Sequence, residues 1–119
     1  MQAFTKLIGL KERPTAVLCS NDMSAIGVMR EAYDVGISVP QELSVVGFDD
    51  IKLSEFTTPP LTTVQMSQKL LAEYAFKALL AEVEQPHSSG GREIELMTNL
   101  ILRRSTALAP SAKKTEPRK

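Results

Sequence analysis

The stretch TAVLCSNDMSAIGVMREAYDVGISVPQELSVVGFDD, residues 15–50, decides the fold. Its opening, Thr15-Ala-Val-Leu-Cys19, is a short continuous apolar run, the pattern of a strand covered on both faces within a parallel sheet. Ser20-Asn-Asp22 follows with side chains suited to capping a helix N-terminus. Ala25, Val28, Met29 and Ala32 then recur at helical spacing, with Ile26 and Tyr33 widening the stripe. Gly36 stands where a left-handed C-cap belongs. After Ile37-Ser-Val-Pro40, the run Leu43-Ser-Val-Val-Gly-Phe48 reads as a second buried strand, and it stops at the acidic pair Asp49-Asp50. Strand, helix, strand is a βαβ unit. Its crossover is right-handed by rule, so both strands point the same way and their C-terminal ends open on one edge of the sheet.

On the N-terminal side, Phe4, Leu7 and Ile8 form the apolar stripe of a short helix that ends before Arg13-Pro14. It begins without a cap residue or a preceding strand, which leads to the expectation that Met1 is an internal start. On the C-terminal side, the prolines of Ser54–Pro60 exclude a regular helix or central strand, so a loop or linker is expected there. Met66–Val83 returns to helical periodicity through Leu71, Tyr74, Ala75, Ala78 and Leu79, while Leu70, Phe76 and Leu80 make further faces apolar. Such a helix needs partners on two sides. Glu84-Gln-Pro-His-Ser-Ser-Gly-Gly91 is polar and turn-forming, Arg92–Arg104 has strand character, and Ala109–Lys119 reads as a solvated tail.

Composition narrows the function. The 14 basic and 14 acidic residues cancel, so no field of one sign is available to hold a nucleic-acid backbone or an anionic membrane. The single cysteine, Cys19, sits among Ala16, Val17 and Leu18 and reads as a small buried apolar residue, in keeping with a reducing cytoplasm. Neither a secretory signal nor a long apolar run is present in the chain as given.

Asn21 and Asp49 carry the strongest positional signal, each lying just past the C-terminal end of an expected parallel strand. Ligands of open α/β sheets bind along that edge. Asn offers a donor and an acceptor and an ionised Asp accepts only, a pairing suited to hydroxyls, amides or a cation. A purely structural role, helix capping by Asn21 or Asp22 and an Asx-turn at Asp49, explains the same spacing equally well. Asp49 and Asp50 are neighbours that point apart, which disfavours a metal site, and Asp50 reads as a turn residue. His87, the sole histidine, falls in the polar loop, where solvent exposure is expected. Arg103-Arg104 read as solvated charges. An enzyme using Asp49 or Asp50 as a base lacks a paired nucleophile, a phosphate loop and a histidine near the strand ends. No catalytic residue, metal or cofactor is therefore assigned.

Several ordered motifs resemble the LacI/GalR family of bacterial transcription regulators. Pro14-Thr-Ala-Val-Leu-Cys-Ser-Asn-Asp-Met-Ser-Ala-Ile-Gly27 matches one segment, and Val35-Gly-Ile-Ser-Val-Pro40, Leu43-Ser-Val-Val-Gly-Phe-Asp-Asp50, Pro59-Pro-Leu-Thr-Thr-Val64 and Leu102-Arg-Arg-Ser-Thr106 follow in the family's order. The resemblance spans about residues 3–107. It implies a periplasmic-binding-protein-like core, of which this chain is expected to be an incomplete, Rossmann-like C-terminal subdomain with a parallel sheet flanked by helices. The implied layout puts 1–58 and 92–107 in that subdomain, 59–64 in the inter-subdomain crossover, 65–85 in a helix of the N-terminal subdomain, and 108–119 in a flexible tail. Asn21 and Asp49 match effector-binding positions, the effector being a sugar, sugar phosphate or purine. Ile26, Leu53 and Phe56 match a homodimer interface, and Pro60, Leu61, Thr62 and Thr63 a hinge strand. Operator DNA would be reached only through a helix-turn-helix domain outside these residues. A periplasmic-type sugar-binding protein shares the fold and is the alternative.

Overall fold

The computed structural model describes residues 2–84 and 93–110. Elements follow in the order α1 (Gln2–Ile8), β1 (Ala16–Leu18), α2 (Asp22–Asp34), β2 (Ser44–Phe48), a 3-10 turn (Lys52–Glu55), β3 (Thr62–Met66), α3 (Gln68–Glu84) and β4 (Thr98–Ile101). One sheet carries the strands in the order β1-β2-β3-β4. The first three are parallel, with Leu18 beside Val46 and Phe48 beside Val64, and β4 runs antiparallel to β3. The βαβ unit thus forms as its apolar pattern requires.

Helix α2 is defined at both ends by its own sequence. Asn21 Oδ1 accepts the Ser24 N–H at 2.8 Å, satisfying a donor that the first turn would otherwise leave without a partner. At the far end Gly36 takes a φ of 74°, and the N–H groups of Gly36 and Ile37 reach back to the carbonyls of Tyr33 and Ala32. This is a Schellman closure, and its apolar partners Ala32 and Ile37 both lie in the core. Ala25, Met29 and Ala32 face β2 as expected, with Val45, Leu43, Leu61 and Phe4 completing the cluster. Full burial of a residue such as Leu61 contributes about 1.5–3 kcal/mol. Tyr33 departs from the expected stripe: it is exposed, with the Arg30 guanidinium 5.9 Å from its ring.

Three further expectations are corrected. β1 is not covered on both faces, because α2 lies on one side and Leu18, on the other, is 74% exposed. The helix expected from Met66 starts at Gln68, since Met66 still pairs with Thr98 across the sheet and Ser67 Oγ caps the Leu70 N–H at 3.2 Å. The strand expected over Arg92–Arg104 is regular only at Thr98–Ile101, where β3 supplies a backbone partner; past Met66 the partner chain turns into helix. Arg92 and the loop containing His87 lie outside the described residues, as does the tail from Ser111 onward.

Beyond β4, residues 103–107 stitch the N-terminal ends of β2 and β3 together. Buried Ser105 donates its hydroxyl to the Val45 carbonyl at 2.6 Å and accepts the Thr62 N–H at 2.8 Å, while its own carbonyl accepts the Val45 N–H. α3 behaves differently from α2. None of its residues is buried, and Leu70, Leu71, Phe76, Leu79, Leu80 and Val83 are all exposed. The expected surplus of apolar surface is present.

Candidate functional site

Asn21 and Asp49 each follow the C-terminal end of a parallel strand, and only Asp49 lines the cleft at the strand ends. Leu18 pairs with Val46, and each of the two polar residues lies three positions further along its strand, on the edge where β1, β2 and β3 all end. Asp49 donates its N–H to Val64 at 2.9 Å, which keeps it beside Gln65 at the end of β3. A cleft of about 590 Å³ opens there, lined by Asp49, Asp50, Ile51, Lys52, Gln65, Met66, Ser67 and Gln68.

The three carboxylates around this edge have separate roles. Asp22 is fully buried; its Oδ2 accepts the Ile51 N–H at 2.9 Å and its Oδ1 the hydroxyl of Thr63. One side chain therefore ties the first turn of α2 to the loop after β2 and to β3. Asp50 is held by Arg103, whose Nη2 donates to Oδ1 at 2.7 Å, by Gln65 Nε2 on Oδ2 at 2.8 Å, and more loosely by the Ser54 hydroxyl at 3.4 Å. Burial pushes the Asp50 carboxyl up, but Arg103, with help from Gln65 and Ser54, outweighs it and holds the group below the ordinary carboxylate range. The side chain of Asp49 has no hydrogen-bond partner among the described residues and is only half-buried.

Asn21 meets both readings left open by its spacing. Its Oδ1 performs the cap, whereas its Nδ2 makes no hydrogen bond among the described residues, so a donor remains. Cys19 is buried at the end of β1, and burial pushes its thiol up, away from the reactive thiolate. Among the described residues no group of three or more His, Cys, Asp or Glu could hold a metal ion.

Leu61, Thr62 and Thr63 are fully buried within the sheet, and the Pro60 carbonyl accepts the Arg104 N–H at 2.9 Å. These four residues are rooted in the domain body, and the chain leaves it after Met66. Leu53 lies in the 3-10 turn and Phe56 directly after it, and both are exposed, Phe56 by 70%. Ile26 is half-buried against the core of its own domain.

Asp22, Thr63 and Arg103 are the residues that sequence reasoning undervalued. Asp22 reads locally as a cap, although its partners lie 29 and 41 positions away. Arg103, expected as a solvated charge, is only 14% exposed and pairs across 53 positions. No local signal announces such contacts.

A model of the periplasmic binding protein-like domain matches residues 1–106. The chain is 46% identical over 99 residues to the HTH-type transcriptional regulator MalR of Streptomyces coelicolor, covering 81% of this chain and 28% of that protein. Among solved structures, the Lac repressor dimer bound to operator and the anti-inducer ONPF matches with a TM-score of 0.75 and 33% identity, over 88% of this chain and 36% of that one. A LacI family transcriptional regulator from Enterococcus faecium with bound ribose matches with a TM-score of 0.73 and 30% identity, over 89% and 38%. This chain thus spans about a third of the length of the proteins it resembles.

Proposed function

The chain belongs to the periplasmic binding protein-like domain family, in the form found in LacI/GalR-type regulators, and from that premise we propose that it is the effector-sensing part of a transcription regulator. The observation that carries this reading is the carboxylate of Asp49, without a hydrogen-bond partner among the described residues, beside a cleft of about 590 Å³ at the C-terminal edge of three parallel strands. Asp49 would accept hydrogen bonds from ligand hydroxyls or ring N–H groups, and the Asn21 amide would donate one. A sugar or a related polar small molecule fits that chemistry, in line with the ribose bound by the Enterococcus faecium relative.

In this reading residues 1–58 and 92–107 form the wall that holds Asn21 and Asp49, and residues 59–64 are the anchored root of the crossover. Helix α3 packs with a second subdomain that closes over the effector, which accounts for its exposed Leu79 and Leu80. Leu53 and Phe56, with the edge of Ile26, form the homodimer surface. An effector that binds the open and closed arrangements unequally shifts their populations, and that difference is what a DNA-binding head can read. Balanced charge leaves operator contact to segments outside these residues. A cytoplasmic location follows from the regulator role. No described helix is long and apolar enough to cross a membrane.

The test is a proton–nitrogen NMR titration of the 119-residue chain with D-ribose, D-glucose and hypoxanthine. Expected are shifts confined to Asn21, Asp49 and Gln65, with a dissociation constant weaker than about 1 mM (about −4 kcal/mol) because one wall alone makes few contacts. Asp49→Ala abolishes them. Shifts elsewhere, or a response that survives Asp49→Ala, overturn the assignment.

A further inference from the structure

The two carboxylates after β2 sit side by side on a backbone that side chains rarely adopt, with φ of 110° at Asp49 and 53° at Asp50. Such a turn persists only when its surroundings hold it. Several tethers do so. On the backbone, the Asp49 N–H donates to Val64, the Asp50 N–H to the Thr63 hydroxyl at 3.4 Å and the Ile51 N–H to Asp22. On the Asp50 carboxylate, Gln65 Nε2 holds Oδ2 at 2.8 Å, while the Ser54 hydroxyl at 3.4 Å and Arg103 at 2.7 Å hold Oδ1. Arg103 is the charged member of this set, and it arrives from the segment after β4.

Arg103 is itself over-determined. Its Nη1 donates to the Leu61 carbonyl at 2.9 Å and to Ser54 Oγ at 3.0 Å, while its Nη2 serves Asp50 and lies 3.8 Å from Glu55, which is also paired with Lys52. Asp50 and Arg103 are 12% and 14% exposed, so both charges are largely withdrawn from water. A pair withdrawn in this way adds little net stability over an apolar pair of the same shape. The guanidinium is also a planar fork with separate donors, which a lysine ammonium cannot imitate. Arg103 does not line the cleft.

We infer that Arg103 is a positioning residue for effector recognition: by clamping Asp50 it fixes the Asp49–Asp50 turn and so sets the direction of the Asp49 carboxylate. Affinity for a hydroxyl- or N–H-bearing effector then depends on a side chain that never touches it. The inference rests on the reading of Asp49 proposed above.

The experiment is NMR on the 119-residue chain, reading the Asp50 carboxyl titration and the HN–Hα couplings of Asp49 and Asp50, which report φ without any ligand. In the unaltered chain Asp50 titrates below the ordinary carboxylate range and both couplings hold single-conformer values. Arg103→Met moves the titration up and averages the couplings. Arg103→Lys recovers part of the titration shift but not the couplings, and Arg104→Met, at the exposed neighbour, changes neither. Unchanged couplings at Asp49 and Asp50 in Arg103→Met overturn the inference; should that variant not fold, Asp50→Asn is judged by the same readout at Asp49. In D-ribose titrations Arg103→Met weakens the response at Asp49 by about tenfold. An unaltered chain that ignores D-ribose, D-glucose and hypoxanthine counts against the functional reading, while the couplings still judge Arg103.

Discussion

Replacing Gly47 by alanine probes the packing beneath the candidate site. A Cβ built on Gly47 falls well inside contact distance of Asp22 Oδ1, at 3.1 Å from Asp22 Cγ and 3.0 Å from Leu61 Cδ2. The glycine is therefore needed for close approach, since its backbone lies outside the left-handed region. Asp22 has to retreat by roughly 1 Å, the minimum that restores ordinary carbon–oxygen contact. It is fully buried, and any retreat draws it away from the Thr63 hydroxyl and the Ile51 N–H. Each buried polar group left without its partner costs about 1–3 kcal/mol, and overpacking alone costs about 1–3 kcal/mol. Gly47→Ala is accordingly expected to lose about 2–5 kcal/mol, a large share of the ~5–15 kcal/mol typical of a domain. Urea unfolding followed by far-ultraviolet circular dichroism measures it as a lowered midpoint at constant slope. The clash also predicts a coupling. In an Asp22→Ala background the new methyl finds room, and the cost of Gly47→Ala falls by about 1–3 kcal/mol. A loss below about 0.5 kcal/mol in the unaltered background, or the same loss in both backgrounds, would refute the reasoning.

Three other outcomes are expected. Asn21→Ala removes the α2 cap and lowers unfolding free energy by about 1 kcal/mol, whereas Asn21→Asp keeps the cap and loses only the amide donor, so thermal melts separate the two roles. The Asp50 carboxyl is lowered on folding, which means that its stabilising contribution is complete above the ordinary carboxylate pKa and drains away as pH falls through the lowered folded value. Urea midpoints collected across the acid range should therefore show a slope that Arg103→Met reduces. Phe76→Gln and Leu79→Gln, on the exposed faces of α3, should change the stability of the isolated chain by less than about 0.5 kcal/mol. A loss above about 2 kcal/mol in the same unfolding assay would place those side chains in a packed interior.

Much of the site's scaffold was open to inspection along the chain because its causes are local. Asn21 caps α2 through the N–H three residues on, and Gly36 and Ile37 close the helix through carbonyls three and five residues back. The apolar excess of residues 68–84 signalled a helix with uncovered faces, and those faces are uncovered in the structure. Asn21 and Asp49 share one edge because both follow parallel strands, a consequence of the helical crossover between them and not of any contact between the two side chains. What misled the local reading was context. Thr15–Cys19 has the composition of a doubly covered strand, yet the layer beyond Leu18 is not formed by these residues. Met66 has helical spacing but takes the strand conformation that pairing with Thr98 demands.

By itself, then, the sequence determined the βαβ unit, the ends of α2, the polar residues at the strand termini and the family resemblance that the relatives bear out. Periodicity, caps and ordered motifs act over a few residues and can be read in one dimension. The tertiary structure alone decided which carboxylate would do what. Asp22, Asp49 and Asp50 are the same chemical group, and they differ because Thr63 and Ile51 meet the first, nothing among the described residues meets the second, and Arg103 meets the third. A buried carboxylate must find its partners wherever the fold brings them, and distance along the chain has no bearing on that search.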